Sequence, residues 1–131
     1  MNFDKIRQGL RERGVMVAEP ASEICIERLI NFTNNTASKD LISMYRSFNG
    51  FIDYDFDVST YISIWPINRI IVDTPKFYKT RIVFADIAMG AEIITIEPSE
   101  RGSIFNAGTG GMISENLELF WKDFFDEKLS F

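Results

Sequence analysis

Three carboxylates stand at alternate positions in the segment 53–57, DYDFD. If this segment is extended, Asp53, Asp55 and Asp57 project from one face and form an acidic row. Paired carboxylates can carry out acid/base chemistry, and the spacing is also that of the first ligands of a calcium loop. The calcium interpretation fails because the sixth position, which needs glycine, is Val58 and the twelfth, which needs glutamate, is Ile64. A solvated loop and an acidic protein-binding face remain the two favoured interpretations, with catalysis or metal binding least favoured.

Other reactive groups are scarce in this chain. It contains no histidine, so it lacks the usual general base, the commonest metal ligand and a conventional serine triad. The single cysteine, Cys25, lies in a helical apolar pattern, which indicates a buried inert thiol rather than a nucleophile. The segment 108–111, GTGG, lacks the lysine of a phosphate-binding loop and indicates a flexible turn. We therefore predict no enzymatic activity, no cofactor and no bound metal.

The charge distribution bears on the choice of partner. The net charge is −5, but residues 1–48 carry seven basic and six acidic groups, whereas residues 49–131 carry seven basic and thirteen acidic groups. Nucleic acid needs a basic footprint, so it is not expected as a direct partner. The excess of six negative charges in the second segment favours a basic protein partner, although simple solubility is the alternative interpretation.

The N-terminal sequence and the hydropathy of the chain indicate its surroundings. The opening MNFDKIRQGLRERG is charged and has no apolar core, so a secretory signal is not expected. No window approaches the length of about 18 apolar residues that a membrane-spanning helix requires. The single cysteine fits a reducing compartment, and these features together predict a protein with no secretory signal and no membrane partner.

The chain is predicted to begin with three helices. Asn2 is a plausible N-cap for the first helix, and Gly14 is a plausible end. A second helix follows Pro20 and is capped by Ser22 or Glu19. A third helix follows Ser38, and the Asn-Gly step at 49–50 ends it, since glycine adopts the left-handed conformation that closes helices.

The middle of the chain changes to strand patterns. Residues 61–65 alternate like a half-buried strand, and residues 81–84 and 91–97 are the clearest strands. The polar turn 97–102 leads to a hairpin partner at 103–107, while 70–72 fits either a helix or a strand.

The last segment predicts an amphipathic helix that packs on the sheet. Ser114 is its predicted cap, and its apolar stripe comprises Leu117, Phe120, Trp121, Phe124 and Phe125. Residues 1–131 contain no repeat or linker and are predicted to form one domain. The predicted fold class is α+β, with N-terminal helices, a central antiparallel sheet of about four to six strands, and the C-terminal helix on the sheet.

Several short motifs occur in an order that resembles one family. They are YRSFNGF at 45–51, IWPI at 64–67, FAD at 84–86 followed by Gly90, and the closing helix at 116–127. This order is similar to that of the SUKH superfamily (Smi/Knr-like), and the similarity covers residues 20–128. The chain departs from the family at 36–38, where TAS replaces a Leu-Pro step. The resemblance implies the same α+β architecture.

The resemblance also implies a function. Most bacterial members of the family are cytoplasmic immunity proteins that bind and neutralise a cognate toxin, often a nuclease. A regulatory or scaffold module of the same fold, without catalysis, is the alternative, and a small enzyme or nucleotide-binding domain is least favoured. On the immunity hypothesis, a basic toxin would pair its Lys or Arg groups with five carboxylates. These are Asp53, Asp55 and Asp57 in the acidic row, and Glu97 and Glu100 in the turn after the strand.

Overall fold

The computed structural model describes residues 1–77 and 81–131 of the chain. Its elements, in order, are α1 (Phe3–Glu12), α2 (Glu23–Phe32), α3 (Lys39–Ser47), a 3-10 turn (Ile52–Tyr54), β1 (Ile62–Ile64), α4 (Ile67–Phe77), β2 (Ile82–Ile87), β3 (Glu92–Ile96), β4 (Ile104–Asn106), β5 (Met112–Ser114) and α5 (Leu117–Phe125). The five strands form one antiparallel sheet in the order β1-β2-β3-β4-β5. The predicted α+β class is therefore confirmed.

The N-terminal helices begin where polar side chains can accept hydrogen bonds from free backbone N–H groups. Asn2 caps α1, Ser38 caps α3, and Ser22 caps α2 by accepting from the backbone N–H of Cys25. The choice between Ser22 and Glu19 is thereby settled in favour of Ser22. The ambiguous segment 70–72 lies within α4 and is helical.

The close approach of two backbone segments explains the glycine at position 50. Helix α3 ends at Ser47, so the prediction that Asn49-Gly50 ends it is wrong. Gly50 has a φ of 73°, and a Cβ atom there would lie 2.7 Å from the backbone nitrogen of Pro66. The Asn49 side chain accepts a hydrogen bond from the N–H of Ile67 at 2.9 Å. This step therefore fixes the backbone from Trp65 into α4, rather than terminating a helix.

The C-terminal helix packs on the sheet and on α3 through aromatic side chains. Phe120 contacts Phe84 of β2 at a centroid distance of 5.6 Å, and Trp121 contacts Phe48 at 6.2 Å. The predicted packing of the amphipathic helix is confirmed. Its predicted cap is wrong, because Ser114 ends β5 and the Asn116 side chain accepts from the N–H of Leu119 at 2.8 Å.

The segment 51–57 covers the outer edge of β1. The carbonyl oxygens of Ile62 and Ile64 accept hydrogen bonds from the N–H groups of Asp57 and Phe51, both at 2.9 Å. The Ser63 hydroxyl donates to the carbonyl oxygen of Asp55 at 2.7 Å. An open strand edge can pair with other chains, and this segment fills the pairing positions. The edge also holds the acidic segment in a defined position.

Candidate protein-binding site

The acidic row predicted at 53–57 does not exist as a single exposed face. Instead of extending, the backbone turns at Ile52–Tyr54, where Asp53 has a φ of 50° and Tyr54 a φ of 61°. Asp53 stays exposed and Asp55 is half-buried, whereas Asp57 is fully buried. Alternation in the sequence therefore fails to place the three carboxylates together.

Asp57 is a structural group. Its carboxylate accepts hydrogen bonds from Nε and Nη2 of Arg13 at 2.9 and 2.8 Å, and from the Thr60 backbone N–H and hydroxyl at 3.0 and 2.8 Å. Burial alone would raise the pKa of Asp57, but the bonds from Arg13 and Thr60 outweigh it and hold the pKa below its usual value. Asp57 therefore ties the segment to the end of α1 and is not available to a partner.

The turn carboxylates lie away from the acidic segment. Glu97 and Glu100 are exposed in the turn after β3, beyond Ile96, which pairs with Ile82. The start of β1 aligns with the opposite end of β3, since Ile62 pairs with Ile87, which in turn pairs with Glu92. The structure thus brings Asp53 and Asp55 together at one end of the sheet and places Glu97 and Glu100 at the other.

A cleft opens beside Asp53 and Asp55, which we call the acidic cleft. It has a volume of about 490 Å³ and is lined by Asp53, Tyr54, Asp55, Phe56, Ser63, Arg69, Asp86 and Met89. The lining draws on the 51–57 segment, β1, α4, β2 and the turn between β2 and β3. Three aspartates and one arginine are among the lining residues, so the lining carries an excess of negative charge.

Arg69 is held inside the cleft by two aromatic rings and two carboxylates. Its guanidinium carbon lies 3.9 Å from the ring centre of Trp65 and 4.7 Å from that of Tyr54. Its Nη2 lies 3.3 Å from Asp86, and its Nε lies 3.5 Å from Asp73. The Trp65 indole N–H donates to Asp86 at 2.7 Å, which fixes the buried carboxylate. These contacts offset the positive charge of Arg69 locally.

The rim of the cleft exposes large apolar side chains. Met89 is 91% exposed and Tyr54 is 72% exposed, while Phe56 stacks on the exposed ring of Tyr61 at 6.2 Å. Isolated exposed apolar residues are normal, but a group of them beside a cleft is typical of an interaction site.

The backbone around the cleft is strained. Eight non-glycine residues in the described ranges have positive φ. Three of them, Asp53, Tyr54 and Met89, line the cleft, while Ala88 precedes Met89 and Tyr61 stacks on the lining residue Phe56. Left-handed backbone costs free energy at residues with a Cβ atom. A hydrogen bond from the N–H of Ala88 to the carbonyl of Tyr61, at 3.0 Å, joins the two loops that contain them. Such strain concentrates at functional sites, where it holds side chains in a preformed arrangement.

Asp53 and Asp55 differ in how many hydrogen bonds their carboxylate oxygens accept. Asp55 accepts a hydrogen bond from the backbone N–H of Met16 at 2.7 Å through Oδ2. Its Oδ1, and both oxygens of Asp53, form no hydrogen bond or ion pair with any residue that the structure describes. The cleft therefore presents free acceptors beside exposed rings.

Across 1–77 and 81–131, no group of three or more His, Cys, Asp or Glu side chains is placed to hold a metal ion. No helix in those ranges combines the length and apolarity needed to cross a membrane. Cys25 is half-buried in α2 and packs against the core.

No family model matches the chain, and no curated protein matches it. The similarity to the SUKH superfamily therefore stays a prediction based on the order of its motifs.

Sequence reasoning missed the residues that build the floor of the cleft. Trp65 belongs to the core and is 1% exposed, but one face of its ring supports Arg69. Asp86 offered a usable signal, since a carboxylate inside an otherwise apolar strand needs a buried partner. Arg69 offered none, because its position on α4 does not indicate which face of the sheet it meets.

Proposed function

We propose that this chain is a cytoplasmic immunity protein that binds and neutralises a basic protein toxin without catalysis. One observation carries the proposal: carboxylates without a cationic partner and exposed aromatic rings occur together at one cleft. Neutralisation would follow when the bound chain covers the surface that the toxin uses.

Four of the eight residues that line the cleft, Tyr54, Phe56, Arg69 and Met89, are of types common in protein interfaces. Aromatic residues, methionine and arginine are enriched in such interfaces, and Tyr54, Met89 and Arg69 occur together here. The negative charge of residues 49–131 would attract a basic partner and raise the association rate at low salt. The order of motifs that resembles the SUKH superfamily supports the immunity role specifically.

The test begins with the reading frame directly upstream of this gene: if it encodes a toxin-like domain, that domain is used in a binding and protection experiment. We expect a complex at submicromolar concentration in isothermal titration calorimetry, and survival of cells that express both proteins. A toxin domain that binds at low salt should bind more weakly as salt rises, because electrostatic attraction is screened.

Two results would count against the proposal. The first is the absence of a complex with that toxin domain at micromolar concentration. The second is an isolated gene whose product binds a non-toxic cellular protein, which would favour the regulatory or scaffold role instead.

A further inference from the structure

We propose that the acidic cleft is an anchor site for one arginine side chain of a protein partner. This inference rests on the proposed function and specifies the chemistry of its contact. The guanidinium would pair with Asp53 and Asp55 and lie against the exposed aromatic ring of Tyr54.

The charges of the cleft favour a cation. Asp86 and Asp73 already lie within 3.5 Å of Arg69 and offset its charge. Asp53 and Asp55 are left without a positive partner among the described residues, and both residues line the same cleft. An incoming guanidinium would supply the missing charge and form charge-assisted hydrogen bonds, which are stronger than neutral ones.

The aromatic lining favours arginine over lysine. A guanidinium is planar and weakly hydrated, so it stacks on aromatic rings, whereas an ammonium group holds its water more strongly. The cleft already contains one such arrangement, since Arg69 stacks between Trp65 and Tyr54. Tyr54 is 72% exposed as a residue even with Arg69 against its ring, which leaves room for a second guanidinium.

Other occupants fit less well. An anion would approach Asp53 and Asp55 against repulsion. An apolar side chain would remove their free oxygens from water without supplying a donor, which costs free energy. The volume of about 490 Å³ exceeds what one side chain needs, so the backbone that carries the arginine can enter as well.

The inference can be tested on the full chain without knowledge of the toxin. The probe is N-acetyl-arginine methylamide, titrated into ¹⁵N-labelled protein and followed by NMR. Its control is N-acetyl-citrulline methylamide, which has nearly the same shape but no charge. We expect arginine-dependent shifts at the amides of Asp53, Tyr54 and Met89 and at the Trp65 indole N–H, with citrulline about tenfold weaker.

Two double variants provide a matched comparison. Asp53→Asn/Asp55→Asn and Glu97→Gln/Glu100→Gln each remove two negative charges, at opposite ends of the sheet. The first variant should weaken arginine binding by about tenfold, because it removes both ionic acceptors. The second should leave the affinity within about twofold, since those charges lie outside the cleft and are screened. Unchanged amide spectra away from the substitutions would show that each variant is folded.

Several outcomes would overturn the site. They are equal shifts with citrulline, tighter binding of N-acetyl-lysine methylamide, and equal loss of affinity in both double variants. A toxin that binds the Asp53→Asn/Asp55→Asn variant with unchanged affinity would also overturn the site, while leaving the immunity function intact. Arginine binding in the cleft without neutralisation of any toxin would support the site and count against the function.

Discussion

Two arginine–aspartate pairs in this protein are buried to a similar degree but differ in their hydrogen bonds. Arg13 pairs with Asp57, and Arg69 pairs with Asp86; both arginine side chains are 22% exposed, and both aspartates are buried. Asp57 receives two short hydrogen bonds from Arg13 and two more from Thr60. Asp86 lies 3.3 Å from Arg69 and receives its short bond from Trp65 instead.

The two pairs also differ in the elements that surround them. The guanidinium of Arg13 lies 4.9 Å from the ring centre of Phe124, so this pair connects α1, the 51–57 segment and α5. Arg69 stacks between Trp65 and the exposed ring of Tyr54 at an open cleft. The Arg13–Asp57 pair, with its hydrogen bonds complete, therefore holds distant elements of the fold together, whereas the looser Arg69–Asp86 pair lies beside a cavity where a partner can bind.

Replacement of Asp57 should have the largest effect on stability. Asp57→Ala leaves Arg13 without its carboxylate and removes the acceptor for both Thr60 bonds. We expect the free energy of unfolding to fall by about 3 kcal/mol in urea titrations, since loss of one partner leaves an uncompensated charge. The matched control, Asp53→Ala, should change it by less than about 0.5 kcal/mol. Equal effects of the two substitutions would contradict the structural role of Asp57.

Acid should weaken the first pair, with a smaller effect than Asp57→Ala because protonation leaves the side chain in place. The pKa of Asp57 is lower in the folded chain than in the unfolded chain, so the charged carboxylate favours folding. That contribution is complete above the ordinary aspartate pKa of about 3.9 and is lost as pH falls through the lower, folded value. Urea titrations between about pH 5 and about pH 2 should show a shallower acid dependence in Asp57→Asn than in the wild type. Identical slopes would indicate that other groups control acid unfolding.

The second pair should tolerate a neutral replacement better than the first. In Asp86→Asn the amide oxygen can still accept from the Trp65 indole N–H, and Arg69 retains Asp73 at 3.5 Å. We expect a loss of about 1 kcal/mol in the free energy of unfolding, measured in urea. A loss as large as that of Asp57→Ala would mean that both pairs have the same structural role.

Substitution of Tyr54 should have the smallest effect on stability. Tyr54→Ala removes the stack on Arg69 but keeps a Cβ atom at a φ of 61°, whereas Tyr54→Gly also relieves the left-handed strain. We expect Tyr54→Gly to be about 0.5 kcal/mol more stable than Tyr54→Ala in thermal or urea unfolding. Both variants should lose binding of the arginine probe. A Tyr54→Gly protein less stable than Tyr54→Ala would contradict the claim that the left-handed backbone at position 54 is strained.

Much of the fold could be predicted because its signals are local. Asn2, Ser22 and Ser38 cap helices with their own side chains, and the apolar stripe of α5 repeats within three turns. β5 was missed because it is only three residues long and follows a glycine-rich turn. The cap at Ser114 was misassigned for the same reason, since a short strand ends where the helix was expected to begin.

The candidate site was harder to predict because its groups come from distant parts of the chain. The alternation of DYDFD presupposes an extended backbone, but hydrogen bonds to the edge of β1 and a left-handed turn redirect it. Glu97 and Glu100 share the negative charge of this half of the chain but lie at the other end of the sheet.

Local residue patterns account for the α+β class, the caps of the N-terminal helices, the amphipathic C-terminal helix and the excess of negative charge after residue 48. Which carboxylates are bound and which are free depends instead on tertiary packing. Asp57 meets Arg13 across 44 positions of sequence, and Trp65 meets Asp86 across 21. The physical reason is that propensity, capping and periodicity act over a few residues, whereas burial and ion pairing depend on which distant elements pack together.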